Sequence, residues 1–314
     1  MAPNNPKPSN KPAPVGTLPA SAANAMLVGV KLCAWNPAKV DTQVTAEVAA
    51  NHGADVDAGR YRKQLASKAD LQAVKKAASA IRAHHYDHTL PWAFADGLRL
   101  LPVANYEAYR AGLRQLKTEY LAQARSLADR WTTVLADAQQ RLGTMYHSTD
   151  YPSAREVEAA YTCEHYVVPV ARGSDLVANL PKGLRDQIAA DIDARTKAAE
   201  VAAMGDLWAR VHASVQAMAE KLPKFRPEEK GKDRGTFRDS LVDNVREICD
   251  LLPRLNVTGD AHLQRMHTEI LGKLAKHDAR ELREDDATRS KVAADASAIL
   301  EQMAGYCGGQ CDTD

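Results

Sequence analysis

NYEAYRAGLRQLKTEYLAQARSLADRWTTVLADAQQRLG, residues 105–143, is the stretch that decides the fold class. Its apolar residues are Tyr106, Tyr109, Leu113, Leu116, Tyr120, Ala124, Leu127, Trp131, Val134, Ala138 and Leu142, and they recur in steps of three and four. That spacing follows the α-helical turn and lays one apolar stripe along one face. Asn105 is a good N-cap and Gly143 a good C-terminal stop. One uninterrupted helix here would run about 55 Å at 1.5 Å per residue. It needs a partner of comparable length.

The partner is sought downstream. From Pro181 to Leu222 the apolar positions Leu184, Ile188, Ile192, Leu207, Val211, Val215, Met218 and Leu222 mark a second long helix, with a polar middle at Arg195–Glu200. Phe237, Leu241, Val245, Ile248 and Leu252 define another, with Thr236 and Asp239 resembling a capping box and Pro253 ending or kinking it. Further helices are expected from Thr258 or Asp260 to Leu274 and over Ala287–Met303. Two long antiparallel helices with others alongside predict a coiled-coil-like bundle. Aromatics are only 5% of the chain, and Ala and Leu allow close helix–helix approach.

Upstream, Leu27–Trp35 reads as a strand in which Gly29 marks close backbone approach. Asn36-Pro37 is expected to open a helix that stops at Asn51-His52-Gly53. Ala69–Tyr86 forms the next helix, and Leu98–Leu101 a second strand. A short helix lies around Ala154–Ala160, and Tyr166–Val170 is a strand that Pro169 demotes to an edge. The fold class is therefore mainly α with a small β element (α+β). The expected division is a Pro-rich arm at 1–25, a mixed portion at 26–104 plus 144–180, a helical bundle at 105–143 plus 181–304, and a Cys-containing tail at 305–314.

Composition narrows the function classes. Lys plus Arg is 41 and Asp plus Glu is 40, so the formal charge of +1 excludes a globally basic nucleic-acid binder. The Pro-rich start lacks the apolar core of a signal peptide. No window approaches the roughly 18 apolar residues of a membrane span. These features predict a cytoplasmic protein that contacts no membrane. Cys33, Cys163 and Cys249 stand singly in apolar surroundings, as buried thiols do. Cys307 and Cys311 form one Cys-Gly-Gly-Gln-Cys pair, short of the four ligands of structural zinc.

No phosphate-binding loop, dinucleotide fingerprint or nucleophile elbow is present. No catalytic residue is assigned, a non-enzymatic role is expected, and no cofactor is expected. Two local constellations remain. His84, His85 and His88 surround Asp87, and His84 and His88 lie one helical turn apart, the spacing of helical metal sites. A metal site there would use His84, His88 and Asp87, with a further ligand from His147, Glu164 or His165. The alternative is that these histidines finish a helix, where a cation complements the dipole. The second constellation is basic. Arg60, Tyr61, Arg62 and Lys63 place an aromatic among cations, and Lys224, Arg226, Lys230, Lys232 and Arg234 form another cluster near Phe225 and Phe237. Phosphate neutralisation with base stacking is how single-stranded nucleic acid is held. A solvated helix face and loop is the plainer reading.

Met26-Leu-Val-Gly-Val-Lys-Leu-Cys-Ala-Trp35, Asp57-Ala-Gly-Arg-Tyr-Arg-Lys63, Tyr86-Asp-His-Thr-Leu-Pro-Trp92 and Leu101-Pro-Val-Ala-Asn-Tyr106 together resemble a family of uncharacterised proteins of tailed bacteriophages and bacterial mobile elements. The resemblance spans residues 26 to 170. It transfers no catalytic residues. Genes of that family often lie near MoxR-like AAA+ ATPases and von Willebrand A-type proteins, which implies an accessory role. The expectation is a phage-type structural or adaptor protein, in the host cytoplasm if phage-encoded. It would act through helical contacts with an AAA+ ATPase or with itself. Single-stranded nucleic-acid binding and metal-dependent catalysis at His84/His88 are the two alternatives.

Overall fold

The computed structural model describes residues 23–93, 97–226 and 237–306. The 1–25 arm lies almost wholly outside these residues, as do Cys307 and Cys311. The chain is mainly α-helical with a small antiparallel sheet, as the periodicities predict.

The sheet has four strands in the order β4-β5-β1-β6, where β1 is Ala25–Cys33, β4 Leu90–Pro91, β5 Arg99–Pro102 and β6 Thr162–Pro169. Every pairing is antiparallel. Successive side chains of a strand point to opposite faces. Leu27 and Leu100 therefore enter one core, while their chain neighbours Val28 and Leu101 enter another. The sheet is a middle layer with helices on both sides.

Below it lie α2 (Lys68–Asp87), α3 (Tyr106–Asp129) and α4 (Trp131–Leu142). Ser67 caps α2 in a reciprocal capping box with Asp70. Leu71, Val74, Ala78 and Ile81 of α2 meet Tyr109, Leu113, Tyr120 and Leu127 of α3 in one core. Burying each such large side chain stabilises the fold by roughly 1.5–3 kcal/mol. Above the sheet lie α6 (Lys182–Lys221), α7 (Ser240–Leu255), α8 (Ala261–Ile270), α9 (Ala279–Glu284) and α10 (Asp286–Tyr306). The 40 residues of α6 form one continuous helix. It packs chiefly on α10 and α7.

Several expectations change. The 105–143 helix is two helices that meet at Arg130, whose φ of −93° and ψ of 12° leave the helical range. At the break the Trp131 indole N–H donates to Pro152 O at 2.9 Å, and its ring meets Trp35 edge-on at 5.1 Å. The long stripe does not bundle with residues 181–222. It packs on α2 across the sheet from α6, because β1 and β5 offer both long helices an apolar face. Pro37 opens no helix. Ala38–Val40 is β2, paired with β3 (Arg62–Gln64), and α1 (Thr42–His52) starts after Asp41, whose side chain accepts the Val44 N–H. α5 (Ala154–Ala159) is where the sequence placed a short helix. Asp239 makes no side-chain cap to α7; its carboxylate pairs with Arg283 instead. Pro253 does not end α7, which runs on to Leu255.

Candidate functional site

The histidine-rich stretch is the C-terminus of α2, and three neighbouring elements consume its polar groups. Gly112 of α3 makes this possible. A Cβ there would stand 2.4 Å from the His84 ring, so only glycine lets α2 and α3 approach so closely. His84 Nε2–H donates to Tyr109 O at 2.9 Å, and its ring stacks on Tyr109 at 5.5 Å. Tyr109 Oη and His85 Nδ1 share a hydrogen bond at 2.9 Å. Burial pushes the Tyr109 phenol up, which keeps its proton in place. Burial, then the charges of Arg99 and His84, lowers His85 to about 4. His85 is therefore neutral.

His88 closes the helix. The Asn105 amide donates to His88 O at 2.8 Å and lies 3.3 Å from His88 Nδ1. Thr89 O–H donates to His85 O. Arg99 Nε donates to Thr89 Oγ1 at 2.7 Å. Arg210, from α6 on the far side of the sheet, donates to Tyr86 O and Thr89 O, each at 3.0 Å. This turn joins both helical layers through the sheet; His88 closes α2 through its backbone N–H to His84 O, while the His84 and His85 rings bond Tyr109 of α3.

The proposed metal set does not assemble. The His84 and His88 rings lie 4.2 Å apart and tilted by 41°, and His84 Nε2 is committed to a carbonyl. Among the described residues no group of three or more His, Cys, Asp or Glu converges as a metal site. Asp87 is exposed, and Glu164 and His165 lie on the exposed part of β6. Cys163 and Cys249 are buried as expected, whereas Cys33 is half-buried. Burial raises Cys163, and lifts Cys249 to about 11, so neither is a poised nucleophile.

The basic candidates divide. Arg60, Tyr61 and Arg62 are exposed beside one another. Lys63 is not available to a phosphate. It is 3% exposed, with Nζ 2.9 Å from Asp41 Oδ2, 2.8 Å from Asp150 Oδ2 and 2.7 Å from Met145 O. Strand alternation turns it inward while its neighbours face out. Burial opposes its charge, but hydrogen bonds to Asp150 and Asp41 outweigh that and raise Lys63. Lys39 adds a second cation to Asp150 at 2.7 Å. Lys224 is exposed, and Arg226 folds back to donate to Pro223 O at 2.6 Å. Lys230, Lys232 and Arg234 lie outside the described residues. Phe225 and Phe237 are buried and meet edge-on at 5.4 Å, so they pack the core and offer no base a platform.

Next to the histidine turn is a cleft of about 720 Å³ that sequence reasoning missed. It opens where the sheet splits. β6 accompanies β1 from Met26 to Cys33, while β5 accompanies it only from Ala25 to Val28. The cleft lies between Val30–Leu32 on one side and Trp92, Ala93, Gly97 and Leu98 on the other, with Arg82, His85 and Tyr86 of α2 beneath. Tyr166 enters it from β6 by crossing Gly29, where a Cβ would stand 2.3 Å from the ring. Gly29 was the one sequence signal of this close approach.

The chain matches no family model, no curated protein and no solved structure. No described helix is long and apolar enough to cross a membrane.

Proposed function

We propose that this chain is a non-enzymatic structural or adaptor protein that works through protein–protein contacts. The observation that carries the reading is the free edge of the sheet. Among the described residues β6 has a strand neighbour on one side only, and Tyr166, Val167 and Val168 are 47%, 46% and 36% exposed on it. Edges of this kind take up further chain unless something blunts them; here Glu164 and the terminal Pro169 protect the ends of the strand and leave Tyr166–Val168 between them. The hydrogen bonds that hold His84 and His85 to Tyr109 inside the fold support the reading from the other direction. A phage-type setting and an AAA+ ATPase partner rest on the sequence resemblance.

The test is co-purification of the tagged chain with AAA+ and von Willebrand A-type proteins of the kind encoded near genes of the family it resembles, with light scattering for self-association. A strictly monomeric chain that captures neither protein overturns the reading.

A second reading, single-stranded nucleic-acid binding, keeps Arg60, Tyr61 and Arg62 and loses Lys63. Its expected signature is a low-salt gel shift that disappears as salt rises and is abolished in Arg60→Ala/Arg62→Ala. No shift at low salt ends it.

A further inference from the structure

Two surface features, far apart in sequence, are complementary in chemistry. The first is a pocket of about 360 Å³ beside α1. Every residue lining it falls between Thr45 and Tyr61, so one continuous stretch of chain builds it. Val48, Ala49, Ala54 and Ala58 give it apolar walls, and Arg60 and Tyr61 complete the lining. Backbone hydrogen bonds hold those walls in place. Ala54 N–H donates to Ala49 O at 2.9 Å, Tyr61 N–H to Thr45 Oγ1 at 3.0 Å, and Asp41 N–H to Tyr61 O at 3.0 Å. Even so, Val48 is 48% exposed and Tyr61 39%. The second feature is a loop tip. Gly173 packs so closely on α6 that a Cβ would stand 2.3 Å from Ala189 O, and its N–H donates to Asp193 Oδ1 at 2.7 Å. Thr196 O–H donates to Ala171 O at 3.1 Å. These contacts pin the base of the loop to α6. Beyond them Val177 is 98% exposed, more than any other large apolar side chain described, and Asp175 is exposed as well.

We propose that the chain self-associates through these two features, the Asp175–Val177 tip of one copy entering the α1 pocket of a second copy. Val177 packs against Val48 and Tyr61, and the Asp175 carboxylate meets the exposed Arg60 guanidinium. Burial of apolar surface supplies the attraction, and the charge pair sets the orientation. Both halves are fixed before they meet, so little ordering opposes the contact. Tip and pocket are different patches of one surface, so each copy offers one and receives one. The proposal rests on the adaptor reading and names a second copy as the partner. A polyanion suits the pocket less well. Over residues 42–62 the acids Glu47, Asp55 and Asp57 outnumber the cations Arg60 and Arg62.

The test is light scattering and sedimentation of the full chain over a wide range of concentration. The expected result is a mass that rises with concentration. Val48→Asp and Val177→Asp, both at exposed positions, each weaken association roughly tenfold or more. A mixture of the two variants associates where neither does alone, because each keeps the half that the other lacks. Arg60→Asp also weakens association, and Asp175→Arg in the same chain restores it by exchanging the charges of the pair. Val103→Asp, at an exposed position just before α3, leaves it unchanged. Circular dichroism confirms that each variant is folded. Association indifferent to Val48→Asp and Val177→Asp, a mixture that stays monomeric, or assembly that appears only with added oligothymidylate overturns the proposal. A monomeric chain that still captures an AAA+ or von Willebrand A-type protein overturns the proposal alone. A monomeric chain that captures neither overturns the adaptor reading with it.

Discussion

Tyr109 Oη and His85 Nδ1 share a hydrogen bond of 2.9 Å inside the α2–α3 interface. His84 occupies the space left by Gly112 and bonds the backbone of the same tyrosine. The arrangement makes Tyr109 the receptor of the α2 C-terminus. Tyr109→Phe removes the hydroxyl that meets His85 Nδ1 and is expected to lower stability by about 1–3 kcal/mol. Urea unfolding at neutral pH measures it; an unchanged midpoint would show that the bond contributes nothing net.

The same histidine makes stability depend on acid. Its ordinary value of 6.5 falls to about 4 in the fold, so the unfolded chain binds the proton first. Its contribution is complete above pH 6.5 and is lost as pH falls from there toward 4, an effect of about 3 kcal/mol. Urea midpoints across that window should decline, and His85→Gln should flatten the slope whatever its absolute stability.

Lys63 ties the β2–β3 ribbon to the segment after α4 by answering Asp41 and Asp150 together. Lys63→Met leaves the buried Asp41 carboxylate without its cation and Asp150 with Lys39 alone, and is expected to cost about 3–5 kcal/mol. The acid signature differs from that of His85. Asp41 is lowered by its hydrogen bond from Lys63; burial raises Asp150, but bonds from Lys39 and Lys63 hold it low. Their contribution is present above the ordinary carboxylate range and lost only below about pH 4. A Lys63→Met protein with the same low-pH slope as wild type would contradict this account.

Gly29→Val drives a side chain into the Tyr166 ring and should destabilise by about 1–3 kcal/mol. Tyr166→Ala in the same chain should recover much of that loss, because the clash needs both partners. A double-mutant cycle measures the coupling, and strict additivity would place the strain elsewhere.

Arg210 is the polar tie between the two helical layers, reaching from α6 to the carbonyls of Tyr86 and Thr89. Arg210→Ala should cost about 1–3 kcal/mol, since those carbonyls lose a charged donor. Faster amide exchange at the α2 C-terminus than in the middle of α3 would locate the effect, and uniform exchange would contradict it.

Periodicity and punctuation made most of the helices legible, because a stripe of Leu, Ala and Tyr needs only local spacing to be read. The same local view failed where a choice depended on distant chain. Asp41 caps α1, but Ala38–Val40 becomes a strand only because Arg62–Gln64 arrives beside it. Lys63 belongs to a basic run in sequence, yet its side chain is turned inward toward two acids from elsewhere. The histidines cluster in sequence like metal ligands, but their partners Tyr109, Asn105 and Gly112 come from around α3.

The sequence by itself determined a mainly helical chain, a glycine needed within β1 and an edge strand ending in Pro169. Helical period, strand alternation and the missing proline N–H are properties of neighbouring residues. Tertiary structure alone decided that the two long helices lie on opposite faces of the sheet, because Leu27-Val28 and Leu100-Leu101 offer apolar side chains both ways. It also decided that the His84 and His85 rings meet Tyr109 of α3, and that β5 leaves β1 after Val28 while β6 stays beside it. Both outcomes depend on which groups meet across the fold, and no spacing along the chain encodes that meeting.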